Sequence, residues 1–170
     1  MIFVGVDPSI RATGIVALRD GEVVFQICVN EPPRKKYDPK KPPRVDAERL
    51  ANMERAISNR FDELDPSRSG EAVVAVEEPF VGKSGPAALK TYSIFAAVVV
   101  DLQKRVWSRR VAKLYTPSPA TVKKFVGAKE KNFVARRVFK LWGYEPDDDN
   151  LVDAYAIARW AEAEWNGTTK

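Results

Sequence analysis

The sequence contains no histidine. That absence removes Ser-His-Asp and Cys-His nucleophilic systems, the usual zinc sites, and the side chain most often used as a general acid or base. Cysteine is nearly absent as well: Cys28 stands alone, so no internal disulfide can form, which fits a reducing compartment. Long hydrophobic runs are also missing. The longest, Ile94 to Val100, is too short to span a bilayer and stops at Asp101. The N-terminal apolar run is broken by Asp7 before it reaches the length of a signal peptide. A cytoplasmic protein without membrane contact is expected. Hydrolytic chemistry in such a chain must rest on carboxylates, with a hard, oxygen-preferring ion such as Mg2+ as their partner.

What is present is an ordinary globular composition. The 170 residues are 45% hydrophobic, which suits one domain, 1–170, with a sizeable core. A net charge of +5 and a pI near 9.3 point to a polyanionic partner, although charge alone is weak evidence.

Three strand-like runs come first, Ile2 to Asp7, Gly14 to Leu18 and Val23 to Val29, and the Asp20-Gly21 step between the last two is a hairpin signal. Residues 30–46 then break all periodicity with five prolines and six Lys or Arg against three acids, and read as a mobile basic loop. Such a loop either solubilises or touches phosphates. Leu50, Met53, Ile57, Phe61 and Leu64 recur at helical spacing within Ala47 to Leu64. A fourth apolar strand runs into Glu77 and Glu78, and Pro86 opens a broadly apolar helix, Ala87 to Val106. A fifth strand, Val111 to Tyr115, precedes a short helix, an amphipathic helix from Lys131 to Trp142, and a last helix that starts in Asp147 to Asp149. These elements predict an α/β domain with helices packed on a mixed five-stranded sheet.

Three carboxylates stand out. Asp7 ends the first strand, Glu77 ends the fourth, and Asp153 lies one turn inside the last helix, within reach of Asp149 and Asn150 by helical offsets of four and three. Each has a purely structural explanation. Asp7 before Pro8 can form a turn, Glu77 and Glu78 can mark where a buried strand surfaces, and Asp147 to Asp149 can cap a helix. Asp153 is harder to explain away, because its neighbours Leu151, Ala154 and Ile157 are apolar and an acid among them calls for a cation. Together the three look like a metal site assembled from distant segments.

Four segments, in order, resemble the RuvC-like Holliday junction resolvases of the ribonuclease H-like superfamily. VGVDPSIRATGIVAL is similar to the family's opening strand and turn, VAVEEPFVGKSGPAALK to its strand-ending Glu with a following Phe, Lys and helix, VKKFVGAKEKNFV to its phosphate-contacting lysine segment, and DNLVDAYAIA to its closing acidic helix. Asn150 and the basic loop resemble the shorter phage-type members. The resemblance implies a ribonuclease H-like fold with helices on both faces of the sheet. It implies Asp7, Glu77 and Asp153 as ligands of Mg2+, with Mn2+ as a substitute, two ions to a site and Asp7 bridging. The family's further acid falls on Asn150; Asp149 beside it is favoured as the replacement, because a carboxylate offsets a divalent charge better than an amide. Phe80, Lys83, Lys123, Lys124 and Lys131 are implied as DNA contacts, with Phe80 stacking on a base.

The function so implied is metal-dependent hydrolysis that resolves four-way or otherwise branched DNA by paired symmetric nicks, performed by a homodimer. The apolar helix from Ala87 to Val106 is the expected dimer element unless it is spent on the core. Three alternatives stay open: a ribonuclease H-like nuclease for RNA:DNA hybrids or another branched substrate, an actin-like ATP-binding protein, and a non-catalytic DNA-binding relative. The stretch DPSIRATG is poor in Gly for a phosphate loop, and the retained acids argue against a non-catalytic relative.

Overall fold

In the computed structural model, residues 1–9, 11–30, 47–64, 72–79, 86–107 and 110–169 are described. The basic loop beyond Asn30, Phe80 and Lys83 lie outside them. The chain runs β1 (Ile2–Asp7), β2 (Ala12–Arg19), β3 (Glu22–Asn30), α1 (Ala47–Leu64), β4 (Ala72–Val76), α2 (Pro86–Trp107), β5 (Val111–Tyr115), α3 (Pro119–Val126), a 3-10 turn (Lys131–Phe133), α4 (Val134–Trp142) and α5 (Asp149–Trp165). The predicted Lys131 to Trp142 helix is thus divided into a tight turn and a helix proper. The predicted fourth strand stops at Val76, one residue before Glu77.

The five strands lie in the order β3-β2-β1-β4-β5. β1, β2 and β3 form an antiparallel meander, whereas β4 and β5 run parallel to β1. Asp20 and Gly21 both take positive φ, 52° and 82°, which is the turn geometry that matches the twist of a two-residue hairpin.

Successive side chains on β1 point to opposite faces, and each face has its own core. Ile2, Val4 and Val6 face Met53, Ile57 and Phe61 of α1 and Ile94, Val98 and Leu102 of α2. Phe3 faces the other way, with Val16, Val73 and Ala75, toward α3, α4 and the small residues of α5. Helices therefore cover both faces of the sheet, and β1 and β4 are buried on both sides. Among the described residues no helix is long and apolar enough to cross a membrane.

α5 lies exceptionally close to the sheet. A Cβ on Gly5 of β1 would sit 2.0 Å from the Ala154 carbonyl oxygen and 2.4 Å from the Ala158 nitrogen, and one on Gly14 of β2 would sit 2.1 Å from the Asn150 carbonyl oxygen. No side chain fits in either place. Ala154, Ala156, Ala158 and Ala161 complete the contact from the helix side and are fully buried. Gly5→Ala and Gly14→Ala should each destabilise the fold by about 1–3 kcal/mol, the usual cost of overpacking a filled interior. Urea denaturation checks this, and a wild-type midpoint in Gly5→Ala would show that α5 can lift off without penalty.

Candidate active site

Asp7 is the last residue of β1. Its strand pairs in parallel with β4, Val6 opposite Val76, and the Glu77 amide extends the ladder by donating to the Val6 carbonyl at 3.0 Å. The two acids thus emerge side by side at the carboxyl ends of adjacent parallel strands, a usual place for a ligand crevice in α/β sheets. The turn after Asp7 is held by Thr13, a fully buried polar residue whose hydroxyl donates to the Ser9 carbonyl at 2.9 Å and accepts from the Ser9 amide at 3.1 Å. Sequence reading passed over this clasp; the four-residue spacing of Ser9 and Thr13 across a strand-to-strand turn is its only trace.

α5 supplies the third acid. Asp148 caps the helix, its carboxylate accepting from the Asn150 amide at 2.8 Å. One turn later Asp153 reaches the same cavity as Asp7 and Glu77. The cavity, about 460 Å³, is also lined by Glu78, by Lys123 and Lys131, and by an apolar wall that includes Val122 and Val134. The Glu78 amide donates to the Pro117 carbonyl at 2.8 Å, which ties this rim to the start of α3. Ser118 caps α3, Pro119 begins it, and Gly127 ends it in the left-handed conformation, so Lys123 and Lys124 fall in its last turn. Lys123 turns to the cavity, whereas Lys124 is exposed away from it.

Carboxylates packed this closely repel one another. Burial, then the Asp153 charge, pushes Asp7 up to about 7. Burial, then Asp7 and Asp153, pushes Glu77 up to about 8. Lys131 opposes both shifts; its ammonium lies 3.1 Å from an Asp153 carboxylate oxygen, and that charge raises the Lys131 pKa in return. Its stem is 74% exposed, so this ammonium is held by charge and not by packing. Cys28, by contrast, is pushed up to about 12 by burial and by the hydrogen bond and charge of Asp148, and is a neutral thiol at neutral pH.

The structure therefore brings together Asp7, Glu77, Asp153, Lys123 and Lys131. It does not bring Asp149 or Asn150 to the cavity wall. Asp149 is exposed, and the Asn150 side-chain amide donates to Asp148 at 2.7 Å. Among the described residues no three Asp, Glu or Cys side chains are already gathered as a metal cage. The donor set nevertheless fits a hard cation: it consists of carboxylate oxygens, and burial together with the neighbouring acids raises the pKa of Asp7 and Glu77, a cost that a cation would offset.

The fold can be compared with solved structures. Thermus thermophilus RuvC, solved alone and in complex with a Holliday junction substrate, superposes at a TM-score of 0.67 with 26% identity, over 100% of this chain and 99% of that one. The chain's fold is similar to that of RuvC. The yeast mitochondrial Holliday junction resolvase shares the RuvC-like fold at a TM-score of 0.59 and 14% identity, over 97% of this chain and 82% of its own. No protein-family model and no curated protein sequence matches the chain.

The raised pKa values make stability depend on pH. A carboxyl whose folded pKa lies above its unfolded value stabilises the fold below the unfolded pKa and loses that contribution as pH rises through the folded one. With Asp7 near 7 and Glu77 near 8, the domain should lose stability between pH 4 and 8 on their account. Asp7→Asn should flatten that loss and stabilise the metal-free protein at pH 8 by on the order of 2 kcal/mol. Denaturation in EDTA across this range is the measurement; an identical pH profile in wild type and Asp7→Asn would mean that Asp7 bears no such strain.

Proposed function

We propose that the protein is a structure-selective endonuclease that resolves four-way DNA junctions by paired symmetric nicks, through divalent-metal-dependent phosphodiester hydrolysis. The observation that carries the reading is the meeting of Asp7, Glu77 and Asp153, from three distant segments, in one cavity edged by Lys123 and Lys131. The end-to-end likeness to a RuvC solved on a Holliday junction substrate supports it.

Asp7, Glu77 and Asp153 would hold Mg2+, or Mn2+ in its place, as two ions to a site. Bound there, the metal supplies Lewis-acid charge for an attacking water and for the leaving 3′ oxygen. The chain's own groups do the rest. Glu77 and Asp7 present oxygens fixed by the strand ladder, and α5 holds Asp153 against them. The apolar wall of Val122 and Val134 excludes water from one side of the cavity. Lys123 binds a phosphate oxygen from the rim, and Lys131 can leave Asp153 for another because its stem is exposed. Lys124, Phe80 and Lys83 belong to the same DNA contact by the family likeness. Asp149 remains the favoured fourth ligand over Asn150, which requires a turn of its side chain toward the cavity mouth.

A junction offers two equivalent strands to cut, and a two-fold dimer offers two equivalent sites. α2 supports this arrangement. Its inner face is buried on the sheet, while Ala96 and Val100 face outward and Val100 is 56% exposed.

Labelled four-way, Y-shaped and linear DNA and an RNA:DNA hybrid, each incubated with Mg2+, test the proposal. Paired nicks on the four-way substrate alone are expected; preferential cleavage of the hybrid transfers the protein to another ribonuclease H-like activity. Asp7→Asn, Glu77→Gln and Asp153→Asn should each abolish cleavage and leave junction binding largely intact, since phosphate contacts survive the change. The Mg2+ dependence of cleavage should shift in Asp149→Asn and not in Asn150→Ala, and the reverse result assigns the fourth ligand to the amide.

A further inference from the structure

Lys123 and Lys131 sit on the cavity rim, but a second group of cations lies beyond it. α4 follows directly from the 3-10 turn that carries Lys131, and its first residue, Val134, is part of the cavity wall. The helix therefore starts at the carboxylates and leads outward for about 14 Å. Its inner face is spent on the core: Val134 and Val138 are buried, and Trp142 packs on Phe125 and Tyr155.

Its outer face is different. Arg136, Phe139 and Lys140 follow at offsets of three and four, which gathers them on one surface. All three are exposed, Phe139 by 53%. Among the described residues neither Arg136 nor Lys140 forms an ion pair or a hydrogen bond. Arg137 between them is engaged, donating through Nε to the Val126 carbonyl at 2.9 Å. Phe133, 42% exposed, precedes the group by one turn. From 129 to 145 the chain carries Lys129, Lys131, Arg136, Arg137 and Lys140 against Glu130 and Glu145.

An exposed aromatic ring by itself means little. A ring flanked by two unpaired cations, on a helix that begins at a site built for phosphodiesters, has the make-up of a strand-binding surface, in which cations track phosphates and a ring covers the apolar part of a nucleotide. A protein partner of ordinary composition would leave both cations unanswered; a polyanion answers them.

We infer that the outer face of α4 is a second DNA-contact surface, which receives the strand leaving the active-site cavity. Arg136 and Lys140 bind phosphates of that strand, and Phe139 covers a sugar or an unpaired base between them. The inference rests on the proposed junction nuclease activity and extends its footprint by one helix.

Binding of four-way junction DNA in EDTA, titrated over a range of salt, tests it. Arg136→Ala/Lys140→Ala should reduce the slope of log K against log salt by about two. Phe139→Ala should weaken binding roughly tenfold with little change in slope. Arg136→Lys/Lys140→Arg should retain the wild-type slope, and the thermal midpoints of all variants should match wild type because the altered side chains are exposed. With Mg2+, cleavage at saturating DNA should be preserved while the DNA concentration for half-maximal rate rises. Failure of the wild type to bind junctions overturns the nuclease reading and this surface with it. Wild-type binding with an unchanged salt slope in the double alanine variant overturns the surface alone, as does a Phe139→Ala variant altered only in self-association.

Discussion

The contact on which the structure depends is the seating of α5 directly on the backbone of β1 and β2. Helices usually stand off a sheet by the length of their side chains. Here Gly5 and Gly14 remove the side chains on the sheet, and a row of alanines shortens those on the helix. The peptide groups of Ala154, Ala158 and Asn150 then rest on strand backbone. Asp153 lies within this seated segment, so its distance from Asp7 is set by main chain, which is far stiffer than a pair of interdigitating side chains. The Thr13 clasp acts on the same assembly from the other end, holding the turn that follows Asp7.

Precise seating matters because the groups it brings together repel. Burial and the neighbouring acids raise the pKa values of Asp7 and Glu77, and Lys131 relieves them only in part. A looser fold would let them separate. The two cores, one on each face of the sheet, supply the stability against which this strain is held, and the glycines direct it to one place. Such a cluster destabilises the domain by itself, and on the proposed function that lost stability would reappear as binding free energy for a cation.

Charge in the site is only partly balanced. Acids occupy the cavity, while Lys123 of α3 and Lys131 of the turn after it stand at its rim, Lys131 paired with Asp153. On the proposed function, the rim would attract an anionic strand and the acids would face the cation. With no histidine in the chain, no neutral nitrogen ligand or imidazole base dilutes this division of labour.

The sequence by itself determined the element order and singled out the three acids as candidates, because each is written in local signals. Unbroken apolar runs mark β1 and β4, three- and four-residue spacing marks α1, and a charge where an apolar run ends marks Asp7 and Glu77. Asp20-Gly21 specified its own turn for the same reason, since only such residues take positive φ cheaply. Tertiary structure alone decided the rest. The parallel pairing of β1 with β4, which sets Asp7 beside Glu77, joins segments some seventy residues apart and leaves no local trace. The meaning of Gly5 is equally non-local: within β1 it reads as a weak spot, and only the backbone of α5 above it explains why no side chain is allowed. Asp149 and Asn150 show the same limit from the other side. Helical offsets place both near Asp153, but Asn150 is held by the Asp148 cap and Asp149 is exposed, and neither lines the cavity.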